Sequence, residues 1–221
     1  MSFPSLKERL DAFQKTDVYP VISPEFCAGR DLLFILEEIL KGGAGIVQIR
    51  VKNLPDRQLE LLLKATRKVT EQYNALMIVN DRIDLALASG ADGVHLGQDD
   101  LSVSEARKIA PELLIGTSTH NAEEIAQAQE EQCGYLNIGP IFRTGTKTLS
   151  MEPLGTDFLQ AMIPSVRCPF TVMGGIKHSH LPLLRSLGAK HIAAVTAFTE
   201  AQNPAKEIRR WKAELTAEKP L

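Results

Sequence analysis

The feature that most constrains this chain is an alternation of short β-branched runs, polar or glycine-containing turns and longer amphipathic stretches, repeated along its length. Such alternation is typical of βα units, in which helices join parallel strands. We predict eight strands, near 18–22, 45–50, 76–79, 93–96, 113–116, 135–138, 170–173 and 191–195. Eight units within 221 residues favour an α/β fold that closes into a (β/α)8 TIM barrel over an open doubly wound sheet.

Helix signals fill the segments between the predicted strands. Two sequences typical of capping boxes, Ser102-x-x-Glu105 and Asn121-x-x-Glu124, each follow a predicted strand by a few residues. Another helical segment ends before Gly188, a residue type that favours helix termination. The predicted helices include 6–14, 55–73, 181–187 and 204–215. The first would precede strand one, and the last would complete the outer helical ring.

Length and composition fit one compact domain. Apolar residues make up 44% of the chain and charged residues 24%, as is ordinary for a globular protein with a sizeable core. We therefore expect a single domain over 1–221, with an N-terminal helical segment at 1–16 and a frayed tail at 217–221. Charged side chains within 1–16 argue against a secretory signal, and no window of ~20 apolar residues predicts a membrane span.

Charge and cysteine content limit the classes of partner and the cellular compartment that we expect. The formal net charge is −2, from 25 basic and 27 acidic residues spread along the chain, which argues against a nucleic acid partner. A few local cations and backbone N–H groups would still suffice to bind a small phosphorylated substrate. Cys27, Cys133 and Cys168 are odd in number and lack metal-ligand spacing, so we expect three free thiols in a cytoplasmic protein.

In a barrel of this kind the chemistry lies at the loops that follow the strands, so polar residues at those positions are the candidates. Strand two carries Gln48, Arg50 and Lys52 at alternate positions, which point to one side of a strand. If that side is the lumen, two cations there would require an anion. The alternative, a strand end whose cations reach into water, stays open at this point.

Two acidic residues follow neighbouring strands. Asp81 comes directly after strand three, in Asn80-Asp81-Arg82, and Asp100 follows strand four. Because carboxylates at adjacent strand ends can jointly hold Mg²⁺ and leave room for substrate phosphates, we interpret them as a metal pair. Each acid also precedes a predicted helix, so N-capping is an alternative, although capping does not explain the Gln, His and Gly beside them.

The loops predicted after strands five and six are rich in hydrogen-bond donors. Residues 117–120, which include Ser118, supply three hydroxyls and an imidazole that could bind phosphate oxygens or a heterocycle. An ordinary turn is the alternative for that segment. After strand six, Thr144, Thr146 and Lys147 would suit a diphosphate, with a mobile surface loop as the alternative.

The last two strands lead into a pattern typical of phosphate sites in barrels. Strand seven runs into Gly174-Gly175, where the missing side chains let a ligand approach the backbone closely. Strand eight runs into Thr196, and N–H groups at these loops together with a short helix N-terminus form the recurrent phosphate site of such barrels. A Gly-Gly pair alone is a weak signal, and its position after strand seven strengthens it.

Five segments, in order along the chain, carry a resemblance to a known family. They are IVNDR at 78–82, ADGVHLGQDD at 91–100, GTSTH at 116–120, GPIF at 139–142 with T-x-T-K at 144–147, and GGI at 174–176. This combination resembles the thiamine phosphate synthases, also called thiamine-phosphate pyrophosphorylases. The match runs from about Gln48 to the last helix.

The resemblance implies an activity. The family condenses 4-amino-5-hydroxymethyl-2-methylpyrimidine diphosphate with 4-methyl-5-(2-phosphoethyl)thiazole, and releases thiamine phosphate and pyrophosphate. For this chain it implies a Mg²⁺-dependent transferase with those two substrates, and it leaves a homodimer open. The family mechanism is dissociative: the C–O bond to diphosphate ionises, and the thiazole nitrogen captures the pyrimidinylmethyl cation. Such chemistry depends on stabilising the leaving group and needs no covalent nucleophile.

The resemblance also implies a role for each matching residue. The Mg²⁺ ligands would be Asp81 and Asp100. Contacts to the diphosphate or the pyrimidine would come from Arg50, Lys52, Asn80 and Lys147, and further pyrimidine contacts from Gln48 and Ser118. Contacts to the thiazole phosphate would come from Thr144, Thr146, Gly175 and Thr196. The catalytic residues within this set would be Arg50, Lys52, Ser118 and Lys147.

Two positions depart from the family pattern. Val51 stands where the family usually has an acid, and Arg143 where it usually has a proline. Strand alternation should point Val51 away from the lumen, so we expect little catalytic effect. Arg143 would either add a phosphate contact or alter closure of the loop.

Three other functions stay open. The thiazole tautomerase group of the same superfamily uses a histidine near the position of His120, but it tends to lose the Gly-Gln-x-Asp segment. A non-catalytic barrel that binds a thiamine precursor or regulates a partner would fit a chain with substituted metal acids, and here both acids are intact. A Schiff-base aldolase would need a lysine on strand six, where Leu136 and Asn137 stand.

Overall fold

The protein, described by a computed structural model over residues 3–145 and 152–217, is built around eight parallel strands. They close into a barrel in chain order, because the first strand pairs with both the second and the eighth. The strands are β1 (Val18–Ile22), β2 (Ile46–Ile49), β3 (Leu76–Asn80), β4 (Gly93–Leu96), β5 (Leu114–Thr119), β6 (Tyr135–Ile138), β7 (Phe170–Val172) and β8 (His191–Ala194). The predicted (β/α)8 barrel is confirmed, and each strand overlaps its predicted range.

Helices surround this barrel and connect its strands. They are α1 (Leu6–Gln14), α2 (Leu32–Lys41), α3 (Asp56–Gln72), α4 (Ile83–Ser89), α5 (Val103–Ile109), α6 (Ala122–Glu130), α7 (Gly155–Met162), α8 (Leu181–Ser186), α9 (Thr196–Thr199) and α10 (Pro204–Thr216). Ser102 and Asn121 cap α5 and α6 as predicted, because each side chain accepts a hydrogen bond from a backbone N–H three residues on. Of the predicted terminal segments, 1–2 and 218–221 lie outside the described residues.

One strand is longer than the sequence indicated. We predicted that β5 ends at Gly116, whereas it pairs with β6 as far as Thr119. The Thr119 hydroxyl also donates to the carbonyl of Asn137 on β6 at 3.1 Å. The expected loop at 117–119 is therefore wrong: those residues continue the strand, consistent with the preference of threonine for pleated, half-buried positions.

Two apolar layers hold the barrel together. The larger lies between the strands and the helices, where strand residues such as Ile115 and Leu136 belong to the same buried cluster as Leu63 of α3 and Trp211 of α10. The smaller fills the lumen and includes Tyr19 on β1. Alternate residues of each strand thus serve the two layers.

Helix α1 closes the N-terminal end of the lumen. The ring of Phe13 is fully buried and stacks on Tyr135 of β6, with centroids 4.6 Å apart. Tyr135 fits there because Gly116 on β5 has no side chain: a Cβ at that position would lie 2.0 Å from the phenol ring. The floor of the barrel is therefore a rigid aromatic stack.

A buried acid at the same end ties α1 to the barrel. Asp92, just before β4, is fully buried and lies 2.5 Å from Nη1 of Arg67 on α3. Its carboxylate also accepts from the N–H of Met77 at 2.8 Å and lies 4.0 Å from Nε of Arg9 on α1. Burial raises the pKa of Asp92, while the Met77 N–H and Arg67 lower it. The hydrogen bonds from Arg67 and Met77 both go to Oδ2, whereas Oδ1 accepts none among the described residues.

The cysteines and the helix lengths answer two smaller questions. Cys27, Cys133 and Cys168 are free thiols as expected, and the sulfurs of Cys133 and Cys168 lie 3.6 Å apart. In the described part of the chain, no helix combines the length and the apolar character that crossing a membrane requires.

Candidate active site

The turn after β3 holds Asp81 in a strained conformation. Its φ is 62°, and the N–H of Arg82 donates to the carbonyl of Asn80 at 2.7 Å, which closes a γ-turn around Asp81. The N–H of Asp81 itself donates to the carbonyl of His95 on β4 at 2.8 Å. A left-handed conformation costs a residue with a side chain about 1–2 kcal/mol, and such strain concentrates at functional sites.

Asp100 lies beside Asp81, after β4. One of its carboxylate oxygens accepts from the N–H of Gly97 at 2.6 Å. Burial raises the pKa of Asp100, the Gly97 N–H lowers it, and the neighbouring Asp81 carboxylate raises it again. Two carboxylates this close repel each other unless a cation lies between or beside them.

Neither acid caps a helix. Helix α4 begins after Arg82 without a side-chain cap, and the cap of α5 is Ser102 rather than Asp100. The capping alternative is therefore excluded, and the two carboxylates lie next to each other at the rim.

Positive charge reaches this rim from the segment after β2. Lys52 forms an ion pair with Asp81 through Nζ and Oδ2. Arg50 Nη1 lies 3.4 Å from Oε1 of Glu25, which follows β1. Gln48, in contrast, is buried on β2 itself. Both cations lie beyond Ile49, the last residue of β2, so they stand at the strand end, where each is paired with an acid.

Gln48 and Ser118 are connected through the lumen by Tyr19, Tyr135 and His95. Gln48 Nε2 donates to the Tyr19 hydroxyl at 3.0 Å, and the two phenol oxygens are 2.8 Å apart. The Tyr135 hydroxyl lies 3.0 Å from His95 Nδ1, and His95 Nε2 lies 2.9 Å from Ser118 Oγ. All five side chains are buried. We call this set of five residues the lumen chain.

The loops after β6 and β7 are joined through their backbones. The N–H of Ile141 donates to Met173 and that of Phe142 to Gly174, at 2.8 and 2.9 Å. A Cβ on Gly174 would lie 2.4 Å from Pro140, and one on Gly175 would lie 2.3 Å from the Arg143 carbonyl oxygen. Both glycines also have positive φ, 102° and 59°. This part of the rim therefore requires glycine.

The remaining predicted residues fall into two groups. Asn80, Thr144 and Thr196 are half-buried, at the end of β3, in the loop after β6 and at the start of α9. Thr146 and Lys147 lie outside the described residues. A cavity of about 330 Å³ opens between the loops after β7 and β8 and α10, with Thr196 on its wall.

If a metal binds here, its acidic protein ligands would be two carboxylates, those of Asp81 and Asp100. Within 3–145 and 152–217 there is no cluster of three or more His, Cys, Asp or Glu side chains arranged to hold an ion. Two carboxylates with space for substrate oxygens fit Mg²⁺, which keeps few protein ligands and binds phosphates with the rest of its coordination sphere. They fit a closed structural metal site poorly.

Comparison with known proteins decides the family. The family described as thiamine monophosphate synthase matches residues 18–198. The chain belongs to this family. A thiamine-phosphate synthase of Dictyoglomus turgidum is 35% identical over 92% of this chain and 92% of its own length. One from Moorella thermoacetica is 37% identical over 90% of this chain and 96% of its own length.

Solved structures agree with this assignment. A thiamine phosphate pyrophosphorylase from Pyrococcus furiosus is 31% identical, with a TM-score of 0.84, over 91% of this chain and 96% of that one. A 3-hexulose-6-phosphate synthase, 16% identical with a TM-score of 0.62 over 90% of this chain and 99% of its own, shares the fold alone.

The two departures from the family pattern have plain structural positions. Val51 packs against the cluster between strands and helices, which agrees with the predicted orientation away from the lumen. Arg143 is exposed and lies 3.7 Å from Glu152, an equally exposed acid. A pair of this kind contributes little to stability.

Sequence reasoning missed the middle of the lumen chain. His95 lies in a segment that carries the family resemblance, but it had no predicted role. Tyr135 and the hydroxyl of Tyr19 had no predicted role either. The sequence did contain a signal, because polar side-chain ends on strand residues that alternate toward the lumen need hydrogen-bond partners inside the barrel. The partners themselves lie on strands far apart in sequence, which only the closed register brings together.

Proposed function

We propose that the protein is a thiamine phosphate synthase that joins 4-amino-5-hydroxymethyl-2-methylpyrimidine diphosphate to 4-methyl-5-(2-phosphoethyl)thiazole with the help of Mg²⁺. The observation that carries this proposal is the pair of adjacent carboxylates, Asp81 and Asp100, at the ends of β3 and β4. Neither caps a helix, and only one cation of the described chain, Lys52, pairs with the Asp81 carboxylate. A metal bound with a diphosphate would neutralise both acids.

The rim after β2–β4 would bind the leaving group. Asp81 and Asp100 would hold Mg²⁺, which when bound supplies positive charge to the departing diphosphate. Arg50 and Lys52 would contact the diphosphate oxygens, exchanging their present acidic partners for the substrate. Asn80, half-buried at the end of β3, would contact the diphosphate or the pyrimidine.

The pyrimidine would lie above the lumen chain. Gln48 and Ser118 are buried polar groups whose inner partners belong to the protein and whose outer partners would belong to the substrate. In the proposed reaction the C–O bond to diphosphate breaks first, and the thiazole nitrogen then attacks the pyrimidinylmethyl cation. The residues act by positioning both substrates and stabilising charge, without a covalent nucleophile.

The rim after β6–β8 would bind the thiazole phosphate. Gly175 lets the loop after β6 approach the turn after β7 closely, and Thr144 and Thr196 would supply hydroxyls to the ligand. Thr146 and Lys147, which resemble the family residues at these positions, would complete the thiazole phosphate and diphosphate contacts respectively.

The rival functions explain less of this geometry. A thiazole tautomerase would use His120, whose Nδ1 lies 2.8 Å from Glu124 Oε2, but it leaves the acid pair without a role. A Schiff-base aldolase fails on β6, where Asn137 accepts a hydrogen bond from Thr171 at 2.7 Å and no lysine stands between Tyr135 and Ile138.

Turnover of both substrates by the purified protein tests the proposal. We expect thiamine phosphate and pyrophosphate to form in equal amounts with Mg²⁺, to cease with a chelator, and to resume when excess Mg²⁺ is added. Absence of both products, together with isomerisation of a thiazole carboxylate phosphate, would contradict the synthase and favour the tautomerase.

A further inference from the structure

Four hydrogen bonds link the lumen chain, and the direction of each can be worked out from the Gln48 amide and the single hydrogen on each phenol. Burial raises the pKa of Tyr19 and of Tyr135, which keeps both phenols protonated. Each phenol then has one hydrogen to donate. The Gln48 amide nitrogen already donates to the oxygen of Tyr19.

The donor and acceptor of each hydrogen bond along the lumen chain can be assigned in order, starting from Gln48. Tyr19 is 1% exposed, and among the described residues its hydroxyl meets only Gln48 and Tyr135. Its hydrogen must therefore go to Tyr135, since a buried hydroxyl is rarely left without an acceptor. The Tyr135 hydrogen then goes to Nδ1 of His95, and Nε2–H of His95 donates to Ser118. If His95 carried a hydrogen on Nδ1, in either the neutral or the charged imidazole, it could not accept from Tyr135, and this order would be broken.

We propose that Tyr19, Tyr135 and His95 are positioning residues that fix the polarity of the two groups facing the pyrimidine: Gln48 presents its carbonyl oxygen as an acceptor, and Ser118 its hydroxyl as a donor. This inference rests on the proposed function for the identity of the ligand. The amide of Gln48 is held by its nitrogen, and the oxygen of Ser118 is occupied by His95. Reversing the Gln48 amide would break its hydrogen bond to Tyr19, whereas Ser118, which could still accept a second hydrogen bond, keeps its own hydrogen to donate.

A fixed acceptor and a fixed donor select one kind of pyrimidine. A 4-aminopyrimidine carries a donor, the exocyclic amine, next to an acceptor, the ring nitrogen. The 4-oxo analogue carries an acceptor next to a ring N–H, so its carbonyl would face the Gln48 carbonyl oxygen and the Ser118 hydrogen would lose its acceptor. Sites that hydrogen-bond their substrate through buried groups discriminate strongly, because a mismatch leaves those groups unpaired.

The packing around Tyr135 supports a fixed chain. Phe13 stacks on the phenol ring with centroids 4.6 Å apart, and the His95 ring lies on it at 5.6 Å, tilted by 29°. Gly116 leaves the space that the ring occupies. The carbonyl of His95 also accepts from the N–H of Asp81, so the same residue connects the lumen chain to the acid pair.

Equilibrium binding of two pyrimidine diphosphates, the 4-amino compound and its 4-oxo analogue, measures the selectivity without turnover. We expect the wild type, with Mg²⁺, to prefer the 4-amino compound by at least about 100-fold, consistent with the discrimination such sites reach. Tyr135→Phe should reduce that ratio by about 10-fold or more and leave the affinity for the thiazole phosphate unchanged. The matched control is Tyr73→Phe, since Tyr73 is the third tyrosine of the chain and packs outside the lumen.

Two further variants separate positioning from simple loss of packing. Glutamine places its amide nitrogen near the position of the imidazole Nε2 and asparagine near that of Nδ1. His95→Gln should therefore retain more of the preference than His95→Asn. Equal loss in both would overturn the proposed donation from Nε2 to Ser118.

The histidine tautomer tests the hydrogen-bond order in the free protein. Nitrogen-15 NMR resolves the two ring nitrogens of each of the five histidines, and His95→Gln identifies the signals of His95. We expect hydrogen on Nε2 and a bare Nδ1. Hydrogen on Nδ1, or a selectivity ratio that Tyr135→Phe does not change, would overturn the inference. Failure of the wild type to bind either pyrimidine diphosphate would instead overturn the proposed function, and with it the ligand assignment.

Discussion

The acids at the two ends of the barrel have different kinds of partner. At the N-terminal end Asp92 is fully buried, and two arginines and a backbone N–H of the same chain surround its carboxylate. At the C-terminal end Asp81 lies in a strained turn beside the carboxylate of Asp100, with a half-exposed lysine as its cationic partner. The lower acid thus has its partners within the chain, whereas we propose that a ligand completes the upper site. This is the usual division in such barrels between a stabilising and a catalytic face.

Asp100→Asn should have the largest effect on activity. The substitution removes one carboxylate of the proposed metal pair but keeps an oxygen that can accept from Gly97. We expect kcat/KM to fall by about 10²–10³-fold, comparable with removing an electrostatic group from a catalytic site. Steady-state turnover of both substrates, with the thermal midpoint as a check on folding, measures this.

Asp99→Asn is the matched control. Asp99 is the adjacent acid and is exposed. Its turnover should stay within about 3-fold of the wild type, because exposed charges are screened by solvent. If both variants lost activity equally, general negative charge at the rim would explain the effect, and the comparison between the two ends would fail.

Asp92→Asn should have the largest effect on stability. It removes a fully buried counter-charge from Arg67 and Arg9 and leaves Arg67 with the half-exposed Glu71 at 3.4 Å; breaking a buried pair costs about 3–5 kcal/mol. For a chain of this size the thermal midpoint should fall by roughly 6–20 °C. Asp84→Asn is the control, because Asp84 forms an exposed pair with Arg82 and its loss should change the free energy of unfolding by less than about 1 kcal/mol.

Gly175→Ala should impair one substrate and spare the other. The new Cβ would lie 2.3 Å from the Arg143 carbonyl oxygen, so the loop after β6 must shift. We expect KM for the thiazole phosphate to rise about 10-fold, which corresponds to ~1.4 kcal/mol, with little change for the pyrimidine diphosphate.

Gly29→Ala controls for backbone strain in that experiment. Gly29 has a positive φ of 73°, similar to the 59° of Gly175, but nothing lies within 4 Å of its absent Cβ. It should lower stability by about 1–2 kcal/mol without a selective change in KM. Equal KM changes for both substrates in Gly175→Ala would contradict a separate thiazole phosphate site.

The smallest predicted effect is a pH dependence at the floor. Burial lowers the pKa of His191, and the hydrogen bond from its Nδ1 to the Thr16 carbonyl at 2.8 Å raises it in part. The unfolded chain, with an ordinary pKa of about 6.5, therefore binds a proton more readily than the folded one. The contribution of neutral His191 to the free energy of unfolding is complete above pH ~6.5 and is lost as the pH falls through the pKa of His191 in the folded protein. His191→Asn should flatten the free energy of unfolding between pH 7 and 5, measured by urea titration, and an unchanged slope would contradict this.

The barrel could be predicted from the sequence because the local composition of each strand is typical of β-strands. The sequence also predicted Asp81 and Asp100 as a pair, since residues at adjacent strand ends must be neighbours in a closed parallel sheet. It could not distinguish metal binding from helix capping, because that choice depends on whether Ser102 or Asp100 meets the first N–H groups of α5. Nor could it predict the lumen chain, whose bonds join positions 19, 48, 95, 118 and 135 only when the barrel closes.

The most direct test of the division between the two ends measures turnover and stability on the same preparations of Asp100→Asn and Asp92→Asn. We predict that Asp100→Asn loses turnover while its thermal midpoint stays near that of the wild type. Asp92→Asn should show the reverse: a lower midpoint, with wild-type kcat at temperatures well below it. Wild-type turnover in Asp100→Asn, or lost turnover in fully folded Asp92→Asn, would contradict the account.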